Sequence, residues 1–380
     1  MSSRRRPMDD HNRWSKHLPD ILIEMIVKRL TLVDSIRFAA VCPSWRSVSS
    51  QWSQRVTRLP WLLDSTEILD SETVNYRLYS PSEDRVYDLK FPRENNKLDA
   101  SHSYGIRCLG SIDGWLIMSE WTLNNISYDE KSINYFLNPM TGDRIKLPQQ
   151  TEFIPETSAA SSDPRRSDCI VAIGEGSNLV FCRPCSHELC PWEGHQDCDV
   201  QYVKFHEDGK LYIIGLGDTC CILVVLVLVL DPLNQCQGKG KCEKIIAYRE
   251  KTISAPGDPY NETVRSWSPS FTWSSKGEFL LVWSIFRDGF PFQVFRIDDK
   301  SGYNPIWVNL GTNDIAEDEV VFLSALHSTL MSKSKSFMTT IDEAFLGLHC
   351  GKFFTYLPDR SSTCDLKILD WVWFTPNITK

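Results

Sequence analysis

The sequence lacks a hydrophobic segment long enough to cross a membrane. Its longest run of consecutive apolar residues, 220–230, has 11 residues, whereas a transmembrane helix needs about 18 or more. Residues 1–7 are basic and polar and contain no apolar stretch of the kind that a secretory signal needs. We therefore expect a soluble protein of the cytoplasm or nucleus, without membrane contact, in which residues 220–230 form a buried strand.

Sequence motifs of the common enzyme classes are also missing. The chain has no Gly-x-Ser-x-Gly, no His-Glu-x-x-His and no glycine-rich phosphate loop ending in Gly-Lys-Ser/Thr. Isolated histidines and aspartates are frequent, but no spacing pairs them. We therefore predict that the chain has no catalytic residues, needs no cofactor and is not an enzyme.

The cysteine pattern does not suit a complete set of disulfides, because the 13 cysteines are odd in number and scattered. One cluster has spacing similar to that of zinc ligands. Its members are Cys182, Cys185, His187, Cys190, His195 and Cys198. The favoured interpretation is a polar loop with unpaired thiols and no metal, and a zinc site is the alternative.

Charge divides the chain into two parts. Residues 1–60 hold 11 Lys/Arg against 5 Asp/Glu, whereas residues 61–380 hold 30 against 44, for a total of −8. This contrast indicates two modules with different roles. Because nucleic-acid binding needs a basic face, the acidic larger part argues against nucleic acid as its partner.

The N-terminal part has helical periodicity. Leu22, Ile26 and Leu30 lie four residues apart, and Ile23 and Val27 widen the apolar stripe. A second helix is predicted near a cap at Asp34, Pro43 is expected to end it, and a short third helix follows. Three such short helices bury little surface by themselves, so a partner should complete the module.

After residue 61 the pattern changes to short apolar runs separated by turn residues, which is typical of antiparallel hairpins. Three segments repeat a turn glycine before an apolar strand, and a second turn with Asn or Asp follows. The pairs are Gly114 and Asn138, Gly209 and Asp231, and Gly277 and Asp298, with offsets of 24, 22 and 21 residues. Two hairpins make one four-stranded blade, so we predict a β-propeller of about six or seven blades. A pair of β-sandwiches is the alternative.

The N-terminal part resembles the F-box. Fourteen positions match its pattern in order: Leu18, Pro19, Leu22, Ile23, Ile26, Leu30, Asp34, Ile36, Arg37, Phe38, Val41, Cys42, Trp45 and Arg46. Ser35 stands where the pattern has an apolar residue, and Pro43 where it often has a basic one.

The F-box resemblance implies docking on a Skp-type adaptor, and through it on a cullin. The residues implied to dock are Leu18, Pro19, Leu22, Ile23, Ile26, Leu30, Ile36, Phe38, Val41, Cys42, Trp45 and Arg46. Ser35 and Pro43 are expected to weaken this docking. The alternative is that the apolar stripe of the first helix is only the core of a cap on the propeller.

The remainder resembles the plant family of F-box-linked propellers called KIB-type. The matching segments are 76–79, 110–117, 137–148, 180–184 and 292–297, and residues 352–356 correspond to the family's last apolar strand. The expected organisation is a flexible basic tail (1–13), the F-box (14–57), a linker (58–74) and a propeller that binds the target (75–380).

Together these resemblances imply the substrate-recognition subunit of an SCF-type, cullin–RING E3 ubiquitin ligase, which recruits a target protein through its propeller. The alternative is a binding or inhibitory propeller that occludes a kinase or another partner without the ligase. Neither resemblance names the target protein.

Overall fold

The computed structural model describes 21 segments of the chain. They are residues 18–53, 60–69, 73–80, 83, 85–92, 102–127, 129–147, 153–184, 190–191, 198–217, 222–229, 241–249, 269–274, 276–287, 290–298, 306–309, 319–322, 329–332, 347–349, 352–354 and 372–374. The chain forms two compact units, 1–58 with 377–380, and 59–376. The tail predicted over residues 1–13 lies outside the described residues.

Among its described residues the first unit contains three α-helices, as the sequence predicts: α1 (Asp20–Val27), α2 (Leu32–Ala39) and α3 (Pro43–Ser53). The cap of α2 is Thr31 rather than Asp34, because the Thr31 side chain accepts a hydrogen bond from the Asp34 amide at 3.1 Å. The Thr31 hydroxyl in turn donates to the Asp34 carboxylate at 3.0 Å. Pro43 begins α3, since proline has no amide hydrogen to lose in the first turn of a helix.

The second unit contains antiparallel strands arranged as four-stranded sheets, six of them among the described residues. The first sheet contains β1 (Trp61–Leu69), β2 (Thr73–Ser80), β3 (Arg85–Pro92) and β24 (Val372–Phe374), and the second contains β4 (His102–Ile112), β5 (Trp115–Asn124), β6 (Glu130–Leu137) and β7 (Arg144–Lys146). The third sheet contains β8 (Thr157–Ala160), β9 (Val171–Glu175), β10 (Asn178–Cys182) and β11 (Cys190–Pro191). The fourth sheet contains β12 (Cys198–Phe205), β13 (Leu211–Gly217), β14 (Ile222–Val229) and β15 (Lys241–Arg249). The last two contain β16 (Pro269–Trp273), β17 (Phe279–Arg287), β18 (Phe290–Asp298) and β19 (Ile306–Asn309); and β20 (Glu319–Phe322), β21 (Thr329–Ser332), β22 (Gly347–His349) and β23 (Lys352–Phe354).

One strand of each sheet contacts the corresponding strand of the next sheet along the chain. These strands are β24, β4, β8, β12, β16 and β21. Sheets joined in this way at their inner strands are the blades of a β-propeller, so the predicted fold class is confirmed. The sixth blade differs in order, because β21 rather than β20 is the strand at its edge beside β16.

The first blade is completed by the far end of the chain. Strand β24 pairs with β1, aligning Trp61 with Phe374 and Leu63 with Val372. Strand β1 therefore lies inside the segment 58–74, for which the sequence predicts a linker. The segment 352–356, expected to hold the last apolar strand, instead supplies β23 at the edge of the sixth blade.

The turn glycines of the sequence repeat have the backbone conformation that their positions require. Gly114, Gly209 and Gly277 have φ values of 85°, 81° and 76°, in the left-handed region that glycine adopts readily. Asp113 before Gly114 also has a positive φ of 47°, which makes a two-residue hairpin turn of the type that Asp-Gly favours. These turns therefore fix the hairpin registers of blades two, four and five.

Buried apolar side chains join neighbouring blades. Trp115, Ile117 and Phe136 of the second blade pack with Val171 and Ile173 of the third, and other side chains of the third blade pack with Val203 and Ile213 of the fourth. The apolar run 220–230 supplies β14, which is paired on both sides, with Val227 and Leu228 buried. None of the helices in the described ranges is long and apolar enough to cross a membrane.

Candidate functional site

One line of α1 side chains, made of residues four apart, packs into the interior of the helical unit. Ile23 and Val27 are 0% and 7% exposed, and Leu32, Ser35 and Ser49 are also buried. Ile23, one of the residues implied to dock, therefore orients α1 from within the unit rather than presenting its side chain to a partner. Ser35 also lies in the interior, so its effect on docking would be indirect.

The outer face of α1 is apolar and exposed to solvent. We define this outer face as Ile21, Leu22, Met25 and Ile26, whose side chains are 64%, 43%, 51% and 39% exposed. Water around such a surface makes its burial against a partner favourable. Leu22 and Ile26 are two of the residues implied to dock, and both side chains remain partly exposed.

Three other residues implied to dock hold α2 and α3 together. The rings of Phe38 and Trp45 stack with centroids 4.1 Å apart and planes 17° apart. The Arg46 Nε donates to the carbonyl of Ala39 at 3.2 Å, at the end of α2. These contacts set the geometry of the helical unit, whatever further contacts the same side chains make with a partner.

The remaining residues implied to dock differ in exposure. Val41 is 60% exposed and Pro19 is exposed, whereas Leu18, Leu30, Ile36 and Cys42 are part-buried. The docking role of the whole set stays a prediction, and the structure adds how far each member can be reached from solvent.

The residues implied to dock do not include Ile21 and Met25, the two most exposed apolar side chains of α1. The two residues are four apart, so they lie on the same side of the helix. Apolar residues surround most of the circumference of this eight-residue helix, and one side of a helix is buried, so the spacing predicts an exposed apolar line as well as a buried one. The spacing alone therefore predicts the exposed line, whereas the fourteen positions of the F-box resemblance do not include it.

Charged side chains border these helices. Lys28 Nζ lies 2.9 Å from Glu24 Oε1 on α1, and Arg37 Nη1 lies 3.1 Å from Asp34 Oδ1 on α2. Both pairs have the spacing at which helical side chains meet. The Glu24–Lys28 pair keeps one line of α1 hydrated beside the apolar outer face.

The propeller has a charged loop between β8 and β9, around residues 163–168. Arg165 Nη2 lies 2.6 Å from Asp163 Oδ2, and Arg166 Nη2 lies 2.8 Å from Asp168 Oδ2. The hydrogen bond from Arg165 lowers the pKa of Asp163. Burial, and then the charge of Asp163, raise the pKa of Asp113 in the neighbouring blade. Positive and negative groups neutralise one another here, so the loop favours no ligand of one sign.

Of the predicted cysteine cluster, the side chain of Cys182 lies among the described residues. Cys182 is 5% exposed on β10 and packs between the second and third blades, so its side chain belongs to the core. The side chains of Cys185, His187, Cys190, His195 and Cys198 lie outside the described residues. Among the side chains that are described, no three His, Cys, Asp or Glu residues are grouped as metal ligands.

Two family models match the chain. Residues 78–342 match the KIB1-4 beta-propeller, and residues 16–57 match the F-box domain. The first match covers blades two to five completely, strands β20 and β21 of the sixth blade, and strand β3 with the end of β2 in the first. The second match covers the three described helices.

Individual relatives come from Arabidopsis thaliana. The chain is 34% identical to F-box protein At1g49360 over 40% of this chain and 29% of the relative. It is 29% identical to F-box/kelch-repeat protein At3g18720 over 42% of this chain and 38% of the relative. The chain thus aligns with about a third of the length of these curated relatives. Probable F-box protein At4g22165 is 23% identical over 97% of this chain and 98% of its own length.

Solved structures with some likeness to this chain are distant in sequence. A protein of unknown function from Bacteroides caccae has a TM-score of 0.41 and 10% identity, covering 83% of this chain and 98% of its own. The β-propeller domain of the Trilobed protease from Pyrococcus furiosus has a TM-score of 0.36 and 9% identity, covering 70% of this chain and 73% of its own.

Proposed function

Because the chain belongs to the KIB1-4 beta-propeller family and carries an F-box domain before the propeller, we propose that it is the substrate-recognition subunit of an SCF-type ubiquitin ligase. The F-box would dock on a Skp-type adaptor, and the propeller would hold a target protein. The chain would then act without catalysis of its own, by raising the effective concentration of the target near the ubiquitin-charged enzyme.

The exposure of Leu22 and Ile26 is the observation that carries this proposal. The two side chains are 43% and 39% exposed on a helix whose other line, Ile23 and Val27, already fills the interior. An amphipathic helix commonly binds by laying exposed apolar residues into a groove of its partner. Leu22 and Ile26 have the spacing for such an arrangement.

The first test measures binding of the full chain to a purified Skp-type adaptor. We expect the double variant Leu22→Ser/Ile26→Ser to weaken binding about 30-fold or more, since a central apolar contact at an interface contributes about 2 kcal/mol or more. Val86→Ser is the matched control, because Val86 is 40% exposed on the propeller strand β3 and Ile26 is 39% exposed. A wild-type chain that does not bind the adaptor would contradict the proposal.

The second test addresses target recruitment. Proteins captured by the full chain in plant cells are compared between wild type and Leu22→Ser/Ile26→Ser, with and without proteasome inhibition. We expect a captured target to accumulate when the proteasome is inhibited, and also when the double variant replaces the wild type. A captured partner whose abundance changes in neither case would support the ligase-independent alternative, in which the propeller only occludes its partner.

A cytoplasmic or nuclear location accompanies this proposal. Fluorescence microscopy of the tagged full chain tests it, and a signal confined to the secretory pathway would contradict it.

A further inference from the structure

Helix α1 presents four lines of side chains, each made of two residues four apart. At about 100° per residue, Ile21 and Met25 lie opposite the buried pair Ile23 and Val27. Leu22 and Ile26 lie on one flank between them, and the charged pair Glu24 and Lys28 lies on the other.

The exposure of the apolar side chains increases from the buried line, through the flanking line, to the line on the opposite side of the helix. The Ile23 and Val27 line is 0% and 7% exposed, the Leu22 and Ile26 line 43% and 39%, and the Ile21 and Met25 line 64% and 51%. The most exposed line is therefore apolar, where a helix at a protein surface normally carries polar residues. The F-box match does not account for this line, because Ile21 and Met25 are not among the matching positions.

We infer that Ile21 and Met25 are additional contact residues for the Skp-type adaptor, so that the docked surface is the whole outer face of α1. This inference rests on the proposed function. Ile21 and Met25 adjoin the Leu22 and Ile26 line along its full length, and this continuity favours the adaptor as the occupant. A groove that covers one line of a helix about 10 Å wide also meets the neighbouring line.

The charged line supplies the boundary of this surface. The ion pair between Glu24 and Lys28, at 2.9 Å with side chains 31% and 45% exposed, faces solvent beside Ile21 and Met25. Protein interfaces typically combine an apolar centre with a polar rim. Methionine at position 25 suits the apolar part, because its unbranched side chain adapts to irregular surfaces.

The test compares two double variants and one single variant of the full chain in equilibrium binding to the purified adaptor. Ile21→Ser/Met25→Ser is expected to weaken binding about 30-fold, since each half-exposed side chain loses about half of the benefit of full burial. Glu24→Gln/Lys28→Gln, with the same spacing on the same helix, is expected to change affinity less than about threefold because exposed ion pairs contribute little. Met25→Leu should keep wild-type affinity, because it retains an apolar side chain of similar volume.

The outcomes separate this inference from the proposed function. Binding by the wild type with unchanged affinity of Ile21→Ser/Met25→Ser overturns the inference alone, while absence of wild-type binding overturns both. An equal loss in Glu24→Gln/Lys28→Gln overturns it too, because the effect would then follow from disturbance of the helix. Thermal unfolding of each variant shows whether the helical unit is intact.

A second copy of the chain is the competing occupant. Sedimentation equilibrium measures this directly in the absence of the adaptor. A wild-type dimer that dissociates in Ile21→Ser/Met25→Ser, with adaptor affinity unchanged, would assign the line to self-association and overturn the inference. A monomeric wild type, with the expected loss of adaptor affinity in the variant, supports it.

Discussion

Two buried tyrosines of the propeller differ in the hydrogen bonding of their hydroxyl groups. Tyr135 is 1% exposed and its hydroxyl donates to Glu120 Oε1 at 2.9 Å. Tyr202 is 3% exposed, its ring packs edge-on against Phe271 at 5.1 Å, and its hydroxyl has no hydrogen-bond partner within the described part of the chain. Burial raises the pKa of both side chains, so both stay protonated at neutral pH.

The same substitution should therefore have opposite effects at the two positions. Tyr135→Phe leaves the buried Glu120 with one donor fewer and is expected to lower the free energy of unfolding by about 1–3 kcal/mol. Tyr202→Phe removes a buried hydroxyl without a partner and is expected to be neutral or to stabilise by up to about 1 kcal/mol. Urea unfolding of the full chain measures both, and equal destabilisation by the two substitutions would refute the distinction.

At the scale of elements, the fourth and fifth blades meet through an aromatic cluster that contains a lysine. Lys204 on β12 pairs across the ladder with Tyr212 on β13. Its Nζ lies 5.9 Å from the centre of the Trp273 ring on β16. The His206 ring is 4.6 Å from the same tryptophan. Removal from water in this cluster lowers the pKa of Lys204 to about 7.

This lowered pKa predicts a rise in stability with pH. As pH rises from about 7, the folded chain releases the Lys204 proton first, while the unfolded chain keeps it until near 10.5. The unfolded chain then binds more protons, so the free energy of unfolding increases with pH between these values. Lys204→Met should remove this part of the increase in urea unfolding measured from pH 7 to 10.

Lys210→Met is the control for this pH dependence. Lys210 lies on the same hairpin, with its Nζ 3.6 Å from Asp208 Oδ2 and its side chain 37% exposed. We expect this variant to keep the wild-type slope. If Lys204→Met kept the slope as well, the pKa of Lys204 would not be the cause.

At the scale of the whole molecule, β24 joins the two ends of the propeller. It pairs with β1 at Trp61, Leu62 and Leu63, which are 2%, 2% and 0% exposed. These side chains lie in the core, and the strand beside them comes from residues more than 300 positions later in the sequence. The first blade is therefore complete only when the far end of the chain has arrived.

Deletion of residues 371–380 should therefore destabilise the propeller as a unit. Without β24, the amides and carbonyls of β1 that face it lose their partners, and a buried strand edge becomes exposed. We expect a lower unfolding midpoint, faster proteolysis and a tendency to aggregate. Deletion of residues 378–380 only, which leaves β24 intact, is the control, and indistinguishable stability of the two deletions would show that β24 does not stabilise the first blade.

Much of the fold follows from local sequence. The turn glycines at 114, 209 and 277 mark hairpins because few other residues adopt a positive φ without strain. The apolar spacing of residues 22–30 likewise indicates a helix, and the ordered matches from Leu18 to Arg46 indicate an F-box. Each of these signals spans a few residues, so the chain carries it before any tertiary contact forms.

Other features needed the tertiary structure, because they depend on contacts between residues far apart or on a choice among equivalent side chains. Thr31 rather than Asp34 caps α2, since both can accept hydrogen bonds and only the observed helix start selects one. Strand β1, which lies within the expected linker, pairs with β24 from the far end of the chain. The periodicity of the sequence near residue 61 cannot reveal this pairing.

By itself the sequence determined the two modules, their helical and hairpin character, and the family to which each belongs. Only the tertiary structure decided which apolar residues of α1 are available to a partner. Ile21, Leu22 and Ile23 are chemically alike and adjacent, yet they are 64%, 43% and 0% exposed. The physical reason is that hydrophobicity favours burial of all three, while packing of α1 in the helical unit leaves room for only one line.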